Sequence, residues 1–273
     1  MLSVCINHYK SPIALKICIN SIKEHLGHIR HEIIVADSAA TAESKDLIRH
    51  DFPTVTHVAF NDNVGFARLV NAGIGAATGE FLLFLNADTV LTKGAVETML
   101  TYLKKHDDVA MVGPRLEYMN GKHQPSAFRY YAPLTILARR TPYGKTASGK
   151  KELDRFMLHD VIKEPIAQMQ PTPVDWLMGS VMLVRRSAID AVGILDTRYF
   201  LYMEDVDWCR RFWEKKWKVV WLPAARVVHV HGKGSRKKNA FIDLFTNKLA
   251  RIHFKSAIKY FKKFGADVPR YGA

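Results

Sequence analysis

Residues 81–89 read Phe-Leu-Leu-Phe-Leu-Asn-Ala-Asp-Thr. The run from Phe81 to Leu85 is apolar throughout, with no polar residue alternating. Both faces of this segment are therefore predicted to be buried, the pattern of a central strand in a sheet covered on each side. The run stops at Asn86, Ala87 and Asp88. A carboxylate at the end of a buried strand is costly unless something pairs with it. In open α/β sheets, ligands gather beyond the carboxyl ends of the strands. A divalent cation carrying a diphosphate would satisfy Asp88. Asp88 and Thr89 could equally cap a helix over 93–105, and this stretch alone does not separate the two readings.

The preceding residues set the fold class. Apolar runs over 2–7, 32–36 and 55–60 alternate with helical segments over 13–25, 41–49 and 66–77. Ser11 as N-cap and Pro12 in the first turn open the first helix, whose Leu15, Ile19 and Ile22 recur at helical spacing. Asn61 to Gly65 is a polar loop, and Thr78-Gly79 stops the third helix. This alternation over the first ~90 residues predicts a largely parallel sheet flanked by helices, an α/β fold. Asp37 and Asp88 then lie just past two strand ends on one edge of the sheet. No glycine-rich dinucleotide fingerprint follows the first strand and no P-loop occurs, which argues against dehydrogenase and nucleoside triphosphatase readings.

Beyond the central strand come a helix over 94–105, a strand over 109–113 and a hairpin turning at Asn120-Gly121. From 130 to 173, Pro133, Pro142, Gly144, Gly149, Pro165, Pro171 and Pro173 break the pattern. This segment reads as a long mobile loop with short helical pieces. Order returns at Val174, with a strand over 181–184 and a short helix over 187–192. A helix follows from about 204 to 215, then strands over 217–221 and 227–231. Glu204, Asp205 and Asp207 at a helix start interact favourably with its dipole, which is a sufficient structural reason for them.

The 3 cysteines, Cys5, Cys18 and Cys209, are odd in number and lack paired spacing. This argues against a disulfide framework or zinc site and fits a reducing compartment. The first residues already read as a strand, so no secretory signal is expected. No apolar run approaches the ~20 residues that span a bilayer. The formal net charge of +14 calls for a negative partner: nucleic acid, nucleotide or anionic lipid.

Five patches, taken in order, resemble the inverting nucleotide-sugar glycosyltransferases of family 2, and most closely the bacterial rhamnosyltransferase-like enzymes of cell-surface polysaccharide synthesis. They are Ile6-Asn7, Val35-Ala36-Asp37-Ser38, Asn63-Val64-Gly65-Phe66-Ala67 with Asn71-Ala72-Gly73, and Leu85-Asn86-Ala87-Asp88-Thr89. The fifth runs from Trp176 to Arg185, followed by Glu204-Asp205-Val206-Asp207 and residues 229–235. The resemblance implies a GT-A fold over residues 1–235, with the nucleotide-sugar half at 1–90 and the acceptor half, including the loop at 130–173, at 91–235. It also implies Mg2+ or Mn2+ dependence and inversion at the sugar carbon.

The same likeness assigns Asn7, Asp37, Asn63, Gly65, Arg68, Asn86 and Asp88 to the nucleotide sugar, with Asp37 at the base or ribose. Asn86-Ala87-Asp88 takes the place of the family's Asp-x-Asp metal motif. His229 takes that of a further metal ligand, with His231 as the alternative, and Asp205 that of the general base. The first motif position is asparagine, which leaves one carboxylate ligand rather than two. Tyr9-Lys10 stands where the family usually has an asparagine. Glu204 could hold the acceptor sugar or cap its helix. Trp176 could stack on a sugar face or belong to the core, and Arg68 could meet phosphate or be solvated. The implied partners are a dTDP- or UDP-sugar, with dTDP-rhamnose favoured, and a saccharide acceptor that is lipid-linked.

The chemistry suits these groups. A leaving diphosphate builds negative charge that a divalent cation stabilises, and oxygen ligands suit Mg2+ and Mn2+. The acceptor hydroxyl loses its proton as it attacks, and a carboxylate within reach can take it. Asp205 is expected to stay ionised at its helix N-terminus, with Glu204 and Asp207 pointing elsewhere and Asp207 structural. Direct displacement needs no serine or cysteine nucleophile.

From Lys233 to Arg270 there are eleven Lys or Arg against Asp243 and Asp267, so this tail holds +9 of the total +14. Phe241, Phe245, Leu249 and Ile252, then Ile258, Phe261 and Phe264, lie at helical spacing. Lys248, Arg251, Lys255, Lys259 and Lys262 stand between them. Residues 236–273 thus read as a basic amphipathic helical tail. It either meets an anionic membrane surface, giving a cytoplasmic protein peripheral on the inner membrane, or packs on the core with solvated lysines. A nucleic-acid-binding protein would explain the charge but not the acids at strand and helix ends. A non-catalytic nucleotide-sugar-binding protein would have no need of all three acids. No nucleic-acid partner is therefore expected.

Overall fold

The expected alternation is present from the first residues. It comprises β1 (Leu2–Tyr9), α1 (Pro12–Leu26), β2 (His31–Ser38), α2 (Ala42–Asp51), β3 (Thr56–Ala59), α3 (Phe66–Ala76) and β4 (Phe81–Asn86). Next come β5 (Thr89–Leu91), α4 (Ala95–Lys105), β6 (Val109–Glu117), β7 (His123–Gln124) and β8 (Ala127–Phe128). A helical stretch follows: α5 (Pro133–Arg140), a 3-10 turn (Pro142–Lys145) and α6 (Ala147–Phe156). The chain continues through β9 (Thr172–Pro173), β10 (Trp176–Leu177), β11 (Val181–Arg185), α7 (Arg186–Val192), α8 (Glu204–Glu214), β12 (Lys218–His229) and α9 (Lys248–Phe264). The computed structural model describes residues 1–163, 166, 169–230 and 247–271.

Among the described residues the main sheet runs β3-β2-β1-β4-β11-β6-β12-β5, with β7 added to β6 and β9 to β12. β3, β2, β1 and β4 are parallel neighbours. β11 runs against both β4 and β6, and β12 runs with β6. The parallel strands therefore all end on one edge, and β11 begins there. β4 is central, and no side chain from Phe81 to Leu85 is more than 3% exposed. Leu83 and Leu85 pack with Leu15, Ile19 and Met99 on one face. Leu82 and Phe84 pack with Val70 and Trp208 on the other. Each such burial contributes roughly 1.5–3 kcal/mol, which fixes the strand ends where the polar residues begin.

Four expectations change. Thr89 opens β5, which pairs with β12, and α4 starts only at Ala95 behind an N-cap at Gly94. Asp88 and Thr89 therefore do not cap that helix, and the Thr89 hydroxyl donates to the Asn86 carbonyl at 2.7 Å instead. The strands expected over 217–221 and 227–231 are one strand, β12. Its register shifts between Leu222 and Arg226, where Pro223 has no N–H to give the ladder.

The segment expected as a long mobile loop with short helical pieces has those pieces but packs against the rest, with Tyr131, Phe156 and Leu158 buried in the core. Pro133 and Pro142 sit in the first turns of helical pieces, where proline is tolerated, and so start them rather than break them. Lastly, α9 packs through Ala250, His253, Ser256, Ala257 and Tyr260. Phe261 and Phe264 lie at the edge of the core, while Phe254 and Ile258 face outward. Phe241, Phe245 and His231 lie outside the described residues. Among the described residues no helix is long and apolar enough to cross a membrane, and all three cysteines are free and buried.

Candidate active site

Parallel pairing sets Asn7 of β1 opposite Asn86 of β4. Alternate residues of a strand share a face, so Asn7 and Asn86 continue the row of Cys5 and Phe84. Ser180, just ahead of β11, continues the row of Met182 and Val184 on that same face. Among the described residues neither Asn7 Oδ1 nor Asn7 Nδ2 has a hydrogen-bond partner, nor does the Ser180 hydroxyl, although all three atoms are buried. Buried polar atoms without partners are rare in folded proteins. Here they line the sheet edge at which α/β folds bind ligands.

Asp37 ends β2 fully buried. Its Oδ1 lies 2.7 Å from His8 Nδ1, and its Oδ2 accepts from Ser44 Oγ at 2.7 Å and lies 3.2 Å from His57 Nε2. The Ser11 N–H donates to His8 Nε2 at 3.0 Å, so the imidazole proton sits on Nδ1 and points at Asp37. Ser11 thus spends its backbone N–H on His8 and makes no side-chain cap on α1. Burial alone would raise the Asp37 pKa, but the hydrogen bonds from His57, His8 and Ser44 outweigh it and hold the carboxyl well below the usual range. Asp37 therefore ties the end of β2 to β1, β3 and α2, with both oxygens engaged.

The turn before α3 is closed by Asn63, whose Oδ1 accepts from Ser38 Oγ at 3.2 Å and from the Gly65 N–H at 3.1 Å. Gly65 has φ +80°, and a Cβ there would lie 2.3 Å from the Phe200 carbonyl oxygen. That carbonyl accepts the Phe66 N–H at 2.8 Å. Arg68, in the first turn of α3, is exposed.

Asp88 and His229 converge. β12 ends at His229, and the Val230 N–H donates to the Asp88 carbonyl at 2.8 Å, which locks the two strand ends together. His229 Nε2 then lies 3.3 Å from Asp88 Oδ1, with the imidazole buried and the carboxylate 39% exposed. His229 Nδ1 meets Gln124 Oε1 at 3.2 Å. An amide oxygen only accepts, so Nδ1 donates to Gln124 and Nε2 is the nitrogen that faces Asp88. A histidine that ligates a metal is commonly oriented by such an acceptor on its other nitrogen. The pair offers one nitrogen and one carboxylate donor, a set that fits a divalent cation whose remaining positions go to a ligand's oxygens. Among the described residues no group of three or more His, Cys, Asp or Glu is gathered to hold a metal by itself.

Asp205 lies in the first turn of α8. Its Oδ2 accepts the Gly179 N–H at 3.0 Å and its Oδ1 the Val206 N–H at 2.9 Å. Burial pushes its pKa up to about 6 against the pull of those N–H groups. The helix start alone therefore does not decide its charge. Glu204 is buried beside it, and burial followed by the Asp205 charge drives its pKa well above the usual range. Of the two carboxyls, Glu204 is the one driven further toward its protonated form. Asp207 is structural: its carboxylate is buried and binds Arg211 Nε at 2.7 Å and Lys263 Nζ at 2.5 Å. Tyr202 and Met203, just before α8, have φ of 69° and 73°. Backbone of this kind in non-glycine residues clusters at functional sites.

Trp176 is in the core. It is 5% exposed, stacks on Phe128 at 4.5 Å between ring centres, and donates its indole N–H to the Arg129 carbonyl. His8, Gln124 and Ser180 were not among the expected site residues. His8 could have been found from its place one residue past Asn7 on β1. Gln124 carries no local signal, because a hairpin brings it to a histidine 105 positions later in the chain.

The sequence profile described as Glycosyl transferase family 2 matches residues 3–192. The N-acetylglucosaminyl-diphospho-decaprenol L-rhamnosyltransferase of Mycobacterium tuberculosis is 29% identical over 216 residues, 72% of this chain and 66%, just under two thirds, of that protein. Rhamnosyltransferase WbbL of Escherichia coli strain K12 is 26% identical over 259 residues, 89% of this chain and 84% of its own length. The crystal structure of GalNAc-T7 with UDP, GalNAc and Mn2+ aligns with a TM-score of 0.64 at 15% identity, over 85% of this chain and 43% of that one. That likeness is one of fold, and it puts the sheet in the GT-A class. The profile takes in the strand ends of β1 to β4, with the Asn86-Ala87-Asp88 turn and the Gly179-Ser180 bend, and the chain belongs to glycosyl transferase family 2, within which it is similar to proteins named as rhamnosyltransferases.

Proposed function

We propose that this protein is a metal-dependent, inverting glycosyltransferase that moves a sugar, with rhamnose from dTDP-rhamnose favoured, onto a lipid-linked saccharide in cell-surface polysaccharide synthesis. The observation that carries the reading is the Asp88–His229 pair at 3.3 Å, on the sheet edge where Asn7 and Ser180 leave buried polar atoms unpaired. The relatives named for rhamnosyl transfer support the donor, and the M. tuberculosis relative's diphospho-decaprenol acceptor supports the lipid link. The neighbour with UDP and Mn2+ supports a divalent metal, Mg2+ or Mn2+.

Asp88 and His229 Nε2 would hold the cation, which when bound supplies positive charge to the departing diphosphate. The nucleotide lies between the β1 and β2 ends and the turn at Asn63 to Arg68, with Asp37 tying the β2 end to its neighbours. Asn7, Asn86 and Ser180 offer hydrogen bonds to the donor's hydroxyls. Asp205 accepts the proton of the attacking acceptor hydroxyl. Displacement on the face opposite the diphosphate inverts the sugar carbon, and Glu204, in its protonated form, can donate to the acceptor sugar. The outward face of α9, with Phe254 and Ile258 among Arg251 and Lys255, rests on the cytoplasmic face of the membrane where the acceptor is anchored.

The test is release of nucleoside diphosphate from dTDP-rhamnose and from UDP-sugars, with Mn2+, with Mg2+ and in EDTA. Release only with metal, and fastest from dTDP-rhamnose, is the expected result. Metal-independent release, or none from any donor, would overturn the reading.

A further inference from the structure

An open cavity of about 300 Å3 lies between α9 and the segment that leads into α8, lined by Arg198, Lys259, Lys262 and Lys263. The side chains behind it hold too few acids to balance them. Asp196 takes Arg198 and Lys263, and Asp207 takes Lys263 and Arg211. Among the described residues five cations thus face two carboxylates. Lys259 Nζ donates to the Arg198 carbonyl at 2.5 Å and makes no ion pair with a described residue. Lys262 is exposed and makes no ion pair with a described residue. Like charges held this close are costly without an anion between them.

The cavity also belongs to the loop that positions the base. Ser256 Oγ of α9 donates to the Leu201 carbonyl at 2.9 Å, and the His253 ring meets Tyr202 edge-on at 5.0 Å between centres. The Phe200 carbonyl ties the same loop to Phe66 at the donor turn. Asp205 follows Arg198 by seven residues and stands two residues from Asp207 on α8. Phe200 on this loop and Phe254 and Ile258 on α9 are exposed.

We propose that this cavity is the subsite for the acceptor's own diphosphate, the dianionic link between its sugar and its lipid. Arg198, Lys259 and Lys262 bind the phosphate oxygens, and Phe254 and Ile258 face the start of the lipid. The site is separate from the donor diphosphate, which belongs to Asp88 and His229. Guanidinium and ammonium groups suit phosphate oxygens, and the excess charge matches a dianion. The inference rests on the lipid-linked acceptor of the proposed function and says where that acceptor is gripped.

The test compares two acceptors of the same sugar, one on a short prenyl diphosphate and one on a neutral alkyl chain, in wild type and Arg198→Gln/Lys262→Gln. Lys263 is left alone because it holds Asp207. The variant should raise KM for the diphosphate acceptor by about tenfold or more. Its kcat, its KM for the neutral glycoside and its metal-dependent donor hydrolysis should hold. Equal KM shifts on both acceptors, or none, would overturn the subsite. Binding of a short prenyl diphosphate in EDTA, followed by calorimetry, reads the subsite without turnover and should be lost in the variant. Undiminished binding there would also overturn it. If binding to anionic vesicles falls while KM for the diphosphate acceptor holds, the cations serve lipid headgroups and the proposal is wrong. Loss of donor hydrolysis in the wild type would instead sink the enzymatic reading, a separate outcome.

Discussion

Asp205 Oδ2 accepts the Gly179 backbone N–H at 3.0 Å, which joins the start of α8 to the bend that opens β11. The carboxylate is thereby fixed against the edge of the sheet while its pKa is pushed up to about 6 by burial. Asp205→Asn keeps the shape and an accepting oxygen but cannot take a proton. Transfer should fall by at least ~100-fold, the usual scale for a positioned base, while donor affinity measured by calorimetry stays within about twofold. In the wild type, kcat/KM should drop on the acid side with an apparent pKa near 6 and level off above it. A flat acid limb, or a crippled Asp207→Asn beside a healthy Asp205→Asn, would mean that another group is the base.

The same elevation makes a stability prediction. A carboxyl whose folded pKa lies above its ordinary value binds its proton more tightly in the folded state. Its ionisation therefore costs stability, fully above about pH 6 and not at all below the unfolded value near 3.8. Asp205→Asn loses one of the two acceptors at every pH, but relative to wild type its melting temperature should rise as the pH goes from 4 to 8. Thermal melts across that range check it, and a relative melting temperature that falls from pH 4 to pH 8 contradicts the assignment.

Asp88→Ala removes the only carboxylate of the Asn86-Ala87-Asp88 turn, and His229→Ala removes the buried imidazole that faces it. Each should weaken Mn2+-dependent nucleotide binding by ~10-fold or more, on the scale of losing a metal ligand or its orienting partner. Asp88 is partly exposed, so its variant should keep the wild-type melting temperature within a degree or two. Gln124→Ala should show a smaller loss in the same direction, because it only orients His229. Metal-dependent affinity that is unchanged in Asp88→Ala would remove Asp88 from the metal site.

Gly65→Ala tests the contact between the turn before α3 and the loop before α8. The added Cβ meets a backbone oxygen of Phe200 that cannot swing away, and the φ of +80° is strained for alanine. A loss of at least ~1 kcal/mol is expected, seen as a melting temperature lower by several degrees and weaker nucleotide binding. Gly94→Ala has a similar φ but open space around it. It should cost less in the melt and nothing in binding.

What the sequence disclosed depended on whether the reason was local. The run from Phe81 to Leu85 is long enough and apolar enough to name its own place, and the parallel order followed from the alternation around it. Asp88 stood out because it follows a wholly apolar strand, whereas Asp205 and His229 were singled out through the family resemblance, at a helix start and a strand end. The engagement of both Asp37 oxygens was not visible, since His8 and His57 reach it from neighbouring strands. The starts of the helical pieces after residue 130 were not read, because proline looks like a breaker when it can also begin a helix. The inward face of α9 was misjudged because small residues, Ala250, Ser256 and Ala257, make the close contact, and larger apolar ones such as Phe254 and Ile258 point away.

That outward face yields the last prediction. Phe254 and Ile258 are 45% and 41% exposed, with Arg251 and Lys255 on the same side of the helix. A single aromatic and a single aliphatic side chain would bind a bilayer weakly alone. Each basic residue near an anionic surface adds ~1 kcal/mol, an attraction that decays over ~10 Å at 0.1 M salt. Wild type should therefore sediment with anionic vesicles, less so as salt rises, and not with neutral ones. Arg251→Glu/Lys255→Glu should lower that binding by at least ~10-fold. Neither residue touches the buried side of α9, so the melting temperature should hold, and neither lines the cationic cavity, so activity on a short soluble acceptor should hold as well. Phe254→Ala/Ile258→Ala should reduce vesicle binding without changing its salt dependence. If wild type and the charge-reversed variant sediment equally on anionic vesicles, this face does not meet the membrane, and the net charge of α9 serves only the cavity on its flank.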